Sequence, residues 1–299
     1  MTIAGVLPVF QTPFGPDDQI DRTALARQFD WLFANGADGV VLAMVSEVLR
    51  LSSEERDALA GLTCELAAGR GVSVVSVGAE STRVAIRHAR HAEKVGATAV
   101  MATPPALHQA DEEQLFGYFM SIADAVSVPL IVQDASGYVG ANLPITLQAR
   151  LHAELGDRVL FKPEAHPVGP RLTMLREQTG GQAMIFEGTG GLYLVDSFRR
   201  GAVGTMPAAD LVWALSAMWR ALCAGDYPRA YRIAGPLALM VSLQTSLDGF
   251  VAIEKHLLVK QGVLASAAMR GPVGHFVDAQ TAAEVEVLLD LLRAAVADE

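Results

Sequence analysis

Gly39-Val40-Val41-Leu42-Ala43-Met44 and Val72-Ser73-Val74-Val75-Ser76-Val77-Gly78 flank a charged stretch that opens Ser52-Ser53-Glu54-Glu55-Arg56 and closes at Gly69. The two valine-rich runs are short and apolar on both faces, as strands buried inside a parallel sheet are. The stretch between them is long enough for a crossover helix and far too long for a hairpin. Ser52 and Glu55 have capping-box spacing, in which each side chain satisfies a free amide of the first helical turn. Gly69 stands just past the helix, where a left-handed residue is wanted. This is one β-α-β unit, and the chain repeats it.

On either side of this unit the pattern predicts strands, giving in all 3–10, 39–44, 72–78, 99–103, 130–134, 159–162, 184–187 and 203–206. Helices are expected near 22–35, 53–68, 82–95, 112–126, 144–155, 168–179 and 191–200. Asp111 with Gln114 repeats the capping spacing, and Gly36 and Gly96 follow two more helix ends. Eight such units imply right-handed crossovers and a closed (β/α)8 TIM barrel. No Gly-x-Gly-x-x-Gly follows the first strand, which removes the main reason to prefer a dinucleotide-binding sheet. After residue 208 only helices are expected, at 209–224, 227–247, 249–262 and 279–296. The division is a barrel over 1–225 and a C-terminal helical extension over 226–299.

The formal charge of −10 argues against nucleic acid, since phosphate binding needs a basic face and Arg199-Arg200 is the densest basic stretch. Cys64 and Cys223 stand alone in helical segments and read as small buried hydrophobes of a reducing compartment. The first residues lack the basic-then-apolar order of a secretion signal, and no apolar run is long enough for a membrane span. A cytoplasmic protein is expected. Half of the residues are hydrophobic, which suits a large interior and equally a subunit that hides surface in an oligomer.

Barrel enzymes work at the C-terminal ends of their strands. Here those ends bring Thr12, Val45-Ser46-Glu47, Glu80, Thr103, Gln133-Asp134, Lys162, Glu187 with Gly188-Thr189, and Thr205. Lys162 is the outlier. Of the four lysines, Lys94, Lys255 and Lys260 fall in helices, where a solvated ammonium is expected to cost little. Lys162 follows Val159-Leu160-Phe161 at the end of a core strand. Burial there favours a neutral amine, which attacks a ketone to give an imine able to accept electrons from a bond broken beside it. A rim ion pair with Glu164 or Glu187 is the structural alternative.

Gly5-Val6-Leu7-Pro8-Val9-Phe10-Gln11-Thr12-Pro13-Phe14 resembles the first-strand signature of the dihydrodipicolinate synthase/N-acetylneuraminate lyase family. Phe29-Asp30-Trp31-Leu32, Asn35-Gly36-Ala37-Asp38-Gly39, Leu51-Ser52-Ser53-Glu54-Glu55-Arg56 and Ala92-Glu93-Lys94-Val95-Gly96-Ala97-Thr98-Ala99 resemble its later segments, in order. Phe161-Lys162-Pro163-Glu164 falls where that family keeps its Schiff-base lysine. The resemblance implies a lyase on a small 2-oxo acid, with no cofactor and no metal, assembled as a homo-oligomer, a tetramer or dimer.

Departures from the family pattern are local. Its carboxylate-binding Gly-Thr-Thr-Gly-Glu loop reads Ala43-Met44-Val45-Ser46-Glu47 here. The amides of Val45 and Ser46 still suit a carboxylate, and Glu47 reads better as an acceptor for loop amides. The proton-relaying Tyr-Asn of the fifth strand is Gln133-Asp134, and an amide is no acid or base near neutral pH. The paired tyrosines after the fourth strand are replaced by Thr103-Pro104-Pro105-Ala106-Leu107-His108, and the arginine of true dihydrodipicolinate synthases by Ser136-Gly137-Tyr138. That specific reaction is therefore not expected. A Gln-Asp pair resembles branches that dehydrate 2-oxo-3-deoxy sugar acids. On this reading Lys162, Gln133 and Glu187 are the catalytic candidates. Thr12, Val45, Ser46, Asp134, Thr189 and Thr205 bind substrate, and Ser46, Asp134, Glu187, Thr189 and Thr205 are candidates to carry protons. Glu187 reads equally as a salt bridge to Lys162, and His108 and His166 as surface loop residues. A non-catalytic barrel that binds a 2-oxo acid or sugar acid stays open as the alternative, with a cofactor-dependent oxidoreductase a distant third.

Overall fold

The computed structural model describes residues 3–107, 110–137 and 139–297, so the expectations for His108 and Tyr138 lie outside the described residues. Eight parallel strands follow one another around a barrel: β1 (Gly5–Val6), β2 (Gly39–Leu42), β3 (Val72–Ser76), β4 (Ala99–Ala102), β5 (Leu130–Asp134), β6 (Val159–Pro163), β7 (Met184–Glu187) and β8 (Gly204–Thr205). β1 pairs with β8, and Val9 closes the ring by bridging both Val41 and Ala208. The first and last strands are shorter than the apolar runs at 3–10 and 203–206. Pro8 and Pro207 interrupt the ladder at the C-terminal ends of the two strands, because neither has an amide hydrogen to continue it.

The crossovers are α1 (Arg22–Ala34), α2 (Ser53–Ala67), α3 (Thr82–Lys94), α4 (Glu112–Asp124), α5 (Ile145–Leu155), α6 (Val168–Gln178) and α7 (Leu194–Arg199). α8 (Val212–Cys223), α9 (Tyr227–Ser242), α10 (Leu247–Lys260) and α11 (Ala279–Ala297) follow. Ser52 and Glu55 make the reciprocal capping box. Asp111 caps α4 through the Gln114 amide at 2.8 Å, but the Gln114 side chain turns to the Asp111 carboxylate, so that box is half made. Gly96 has φ +97°, the left-handed stop expected after α3. Cys64 is buried as expected; Cys223 is exposed, because it lies at the last turn of α8 where the helix leaves the core.

Two cores follow from strand alternation. Val41, Val74, Met101, Ile131, Leu160 and Phe186 fill the barrel together with residues flanking the strands, such as Leu7, Val9 and Met206, and no residue of α1–α11 joins them. Their neighbours Val40, Val75, Val100, Val132, Phe161 and Ile185 pack outward against the helices. This parity decides which strand-end side chains reach the mouth. No helix among the described residues is long and apolar enough to cross a membrane.

Candidate active site

Lys162 lies two residues beyond Leu160 and Gln133 two beyond Ile131, so both inherit the inward parity. They are also register partners across β5 and β6. Glu164 continues the same face. Its Oε1 lies 2.7 Å from Lys162 Nζ, and Gln133 Nε2 donates to its two oxygens at 3.1 and 3.2 Å. Lys162 is 4% exposed and Glu164 1%. Burial pushes the Glu164 carboxyl above its ordinary range, opposed by the Lys162 charge and the bonds from Lys162 and Gln133.

The amine opens onto a pocket of about 450 Å³, a volume that includes its open mouth. Val45, Gln133, Lys162, Glu164, Gly188, Phe250 and Glu254 line it, with Met44 and Met206 among the apolar wall. A Cβ on Gly188 would sit 2.8 Å from Glu164 Oε1 and 2.9 Å from Lys162 Cε, so a larger residue there would displace the pair. A second, more polar chamber shares Glu164 and Phe250 and is lined by Thr189, His166, Tyr193 and Gln244.

Of the sequence candidates, Lys162, Gln133 and Val45 meet in the first pocket and Thr189 lines the second. The others hold loops. Asp134 and Glu187 have the outward parity of Val132 and Ile185. Asp134 accepts from Ser136 Oγ at 2.6 Å, the Leu143 amide at 3.0 Å and Arg171 at 3.2 Å. Glu187 accepts from the Thr189 amide and hydroxyl, the Gly191 amide and Thr205 Oγ1. The ion pair of Lys162 is therefore with Glu164, not with Glu187. Thr12 Oγ1 donates to the Ser46 carbonyl at 2.6 Å and Ser46 Oγ to the Phe10 carbonyl at 2.5 Å. The Ser46 amide donates to Ala43 O at 3.0 Å within a tight turn, Met44–Ser46.

Lys255 corrects an expectation. It is fully buried rather than solvated. Its Nζ lies 2.5 Å from Glu47 Oε1, donates to the Ala268 carbonyl at 2.6 Å and sits 4.7 Å from the centre of the Phe14 ring. Burial pulls the Lys255 ammonium below its usual range, and the Glu47 carboxylate opposes that. Glu47 also accepts from the Arg270 amide at 3.0 Å and adopts φ +60°, a left-handed backbone unusual for a non-glycine residue. The buried pair thus pins the turn that carries Val45 to α10.

Sequence reading also missed Glu254 and Asp210. The signal was present in α10: Glu254-Lys255 interrupts an apolar helix of Phe250, Val251, Ile253, Leu257 and Leu258. Two adjacent charges in such a helix require buried partners. Among the described residues, no group of three or more His, Cys, Asp or Glu is placed to hold a metal ion.

The arrangement can form and stabilise an imine: a buried amine, one carboxylate against it, and a cavity beside both. Comparison with known proteins agrees. Residues 2–291 match the model of the dihydrodipicolinate synthetase family. The chain is 28% identical over 275 residues to an L-2-keto-3-deoxyarabonate dehydratase from Azospirillum brasilense, covering 90% of this chain and 88% of that one. It is 30% identical over 251 residues to a 4-hydroxy-tetrahydrodipicolinate synthase from Thermomicrobium roseum, covering 82% of each. Among solved structures, the 4-hydroxy-tetrahydrodipicolinate synthase of Methylacidiphilum fumariolicum SolV superimposes with a TM-score of 0.89 at 26% identity, over 99% of this chain and 98% of that one. The chain belongs to the dihydrodipicolinate synthetase family.

Proposed function

We propose that the protein is a Schiff-base lyase that dehydrates a 2-oxo-3-deoxy sugar acid, with Lys162 as the imine-forming residue. The observation that carries this reading is the Lys162 amine, nearly dry, 2.7 Å from one carboxylate and open to a cavity. Transfer of the ammonium proton to Glu164 frees the amine to attack the C2 ketone. That proton returns to the C2 oxygen, a second comes from the nitrogen, and water leaves as the imine forms. Glu164 is then a carboxylate again, made more basic by burial, and takes the C3 proton while the imine nitrogen accepts the electron pair. Gln133 orients Glu164 and carries no proton itself.

Backbone amides of the turn at Val45 are assigned the substrate carboxylate, and the polar chamber at Thr189 its hydroxylated tail. Asp134, Glu187, Thr12, Ser46 and Thr205 are assigned to hold the loops that present these groups. Residues 226–299 serve as an extension of the 1–225 barrel that completes the pocket, since α10 supplies Leu247, Phe250 and Glu254 to its wall. A homo-oligomer in the cytoplasm fits the family. Dehydration is favoured over lysine-type condensation by Gln133 in place of a phenol, and the dehydratase from Azospirillum brasilense supports it.

Proton NMR in deuterated water tests the proposal. A panel of 2-oxo-3-deoxy sugar acids should include one that loses water, and pyruvate should exchange its methyl protons in the presence of the protein. Absence of both exchange and turnover across the panel contradicts the reading.

A further inference from the structure

Leu247, Phe250 and Glu254 lie on one face of α10 and form a wall of the Lys162 pocket. Glu254 is fully buried. Its Oε2 accepts from Gln11 Nε2 at 2.7 Å, and Gln11 is itself aimed by a 3.2 Å bond from the same nitrogen to the Val9 carbonyl. The other oxygen, Oε1, has no hydrogen-bond partner among the described residues. Asp210, 1% exposed in the loop after β8, likewise has one orphaned oxygen, Oδ2. A buried carboxylate with an unpartnered oxygen is costly, and two such groups that feel each other's charge do not both ionise. Burial pushes Asp210 up to about 7, and burial together with the Asp210 charge puts Glu254 well above the ordinary range. The cations that act against this are Lys162 and Lys255. Glu164, just past the end of β6, shares the pocket but is engaged with Lys162 and Gln133.

We propose that Glu254 is a second catalytic group of this site: a carboxylic acid, aimed by Gln11 and backed by Asp210, that protonates the departing C4 hydroxyl of the substrate. The inference rests on the dehydration reading above. Once Glu164 has taken the C3 proton, the enamine pair returns to form the C3–C4 double bond and the C4–O bond breaks with its electrons on oxygen. The Glu254 proton goes to that oxygen, so water departs and Glu254 is left as a carboxylate. Exchange with solvent then returns a proton to Glu254 and removes one from Glu164. Base and acid are thus two separate carboxyls. Glu164 works ionised beside a cation, and Glu254 works protonated beside an anion.

The test compares two leaving groups at C4. Hydroxide needs a proton to depart and fluoride does not. Glu254→Gln should slow loss of water from the 2-oxo-3-deoxy acid by about a hundredfold while fluoride release from the 4-fluoro analogue changes by less than about threefold. Equal slowing of both, or no slowing of either, overturns the proposal. Asp210→Asn keeps Glu254 in place and gives a second reading should Glu254→Gln not fold. The acid is lost as pH rises through its pKa, and the Asp210 charge raises that pKa. Removing the charge should therefore move the high-pH limb of water loss down by about one unit, with fluoride release unmoved. A limb that stays in place overturns the proposal. Wild-type protein that releases fluoride but no water from any 2-oxo-3-deoxy acid contradicts both this inference and dehydration, while pyruvate exchange at C3 would still stand for the imine.

Discussion

Gln133 and Lys162 face each other in register on β5 and β6, and both side chains end on the carboxylate of Glu164. That convergence makes Glu164 the group on which proton transfer at C3 depends. Glu164→Gln keeps the shape and removes the base. Turnover should fall by about 10²- to 10⁴-fold, while the substrate imine on Lys162 remains trappable after long incubation. Steady-state rates near wild type in this variant would remove Glu164 from the mechanism.

Gln133 lowers the proton affinity of Glu164 by donating to its ionised form. Gln133→Leu takes that donor away and raises the Glu164 pKa further. The base must be ionised to work, so the low-pH limb of kcat should move to higher pH, with the rate on the plateau little changed. A pH–rate profile checks this, and a limb that moves to lower pH contradicts it.

Lys255 and Glu47 form a fully buried ion pair between α10 and the Met44–Ser46 turn. Removing one partner strands the other charge, so Lys255→Met should cost about 3–5 kcal/mol in chemical denaturation. It should also raise KM for 2-oxo acids more than it lowers kcat, because the turn at Val45 loses its anchor. Unchanged stability would show that Glu47 finds another partner.

The barrel was legible because buried parallel strands are short apolar runs and their crossovers carry caps and terminal glycines. Lys162 was legible because a lone charge ends such a run. The roles of Asp134 and Glu187 were harder to read, although parity was in the sequence: each lies two residues beyond an outward residue, Val132 and Ile185. Counting alternation from Leu160 and Phe186 separates inward from outward ends. Lys255 and Glu254 were legible only as a pair that needs buried partners, since a helix in isolation does not reveal which element will cover which face.

Asp134 provides the control for that parity. With its bonds to Ser136, Leu143 and Arg171 it holds the loop after β5, outside the pocket. Asp134→Asn should lower the melting temperature while leaving the rate of imine formation within about threefold of wild type, far from the losses that follow removal of a general base. A selective loss of imine formation with stability unchanged would place Asp134 in the reacting site instead.

The mechanism stands on an imine at Lys162, and borohydride reduction in the presence of pyruvate decides whether it forms. Mass spectrometry of the digested protein should find the reduced pyruvyl group on the peptide containing Lys162, and none on that peptide in Lys162→Ala. An unmodified Lys162 peptide from folded wild-type protein, or an adduct confined to Lys94, Lys255 or Lys260, would rule out an imine at Lys162.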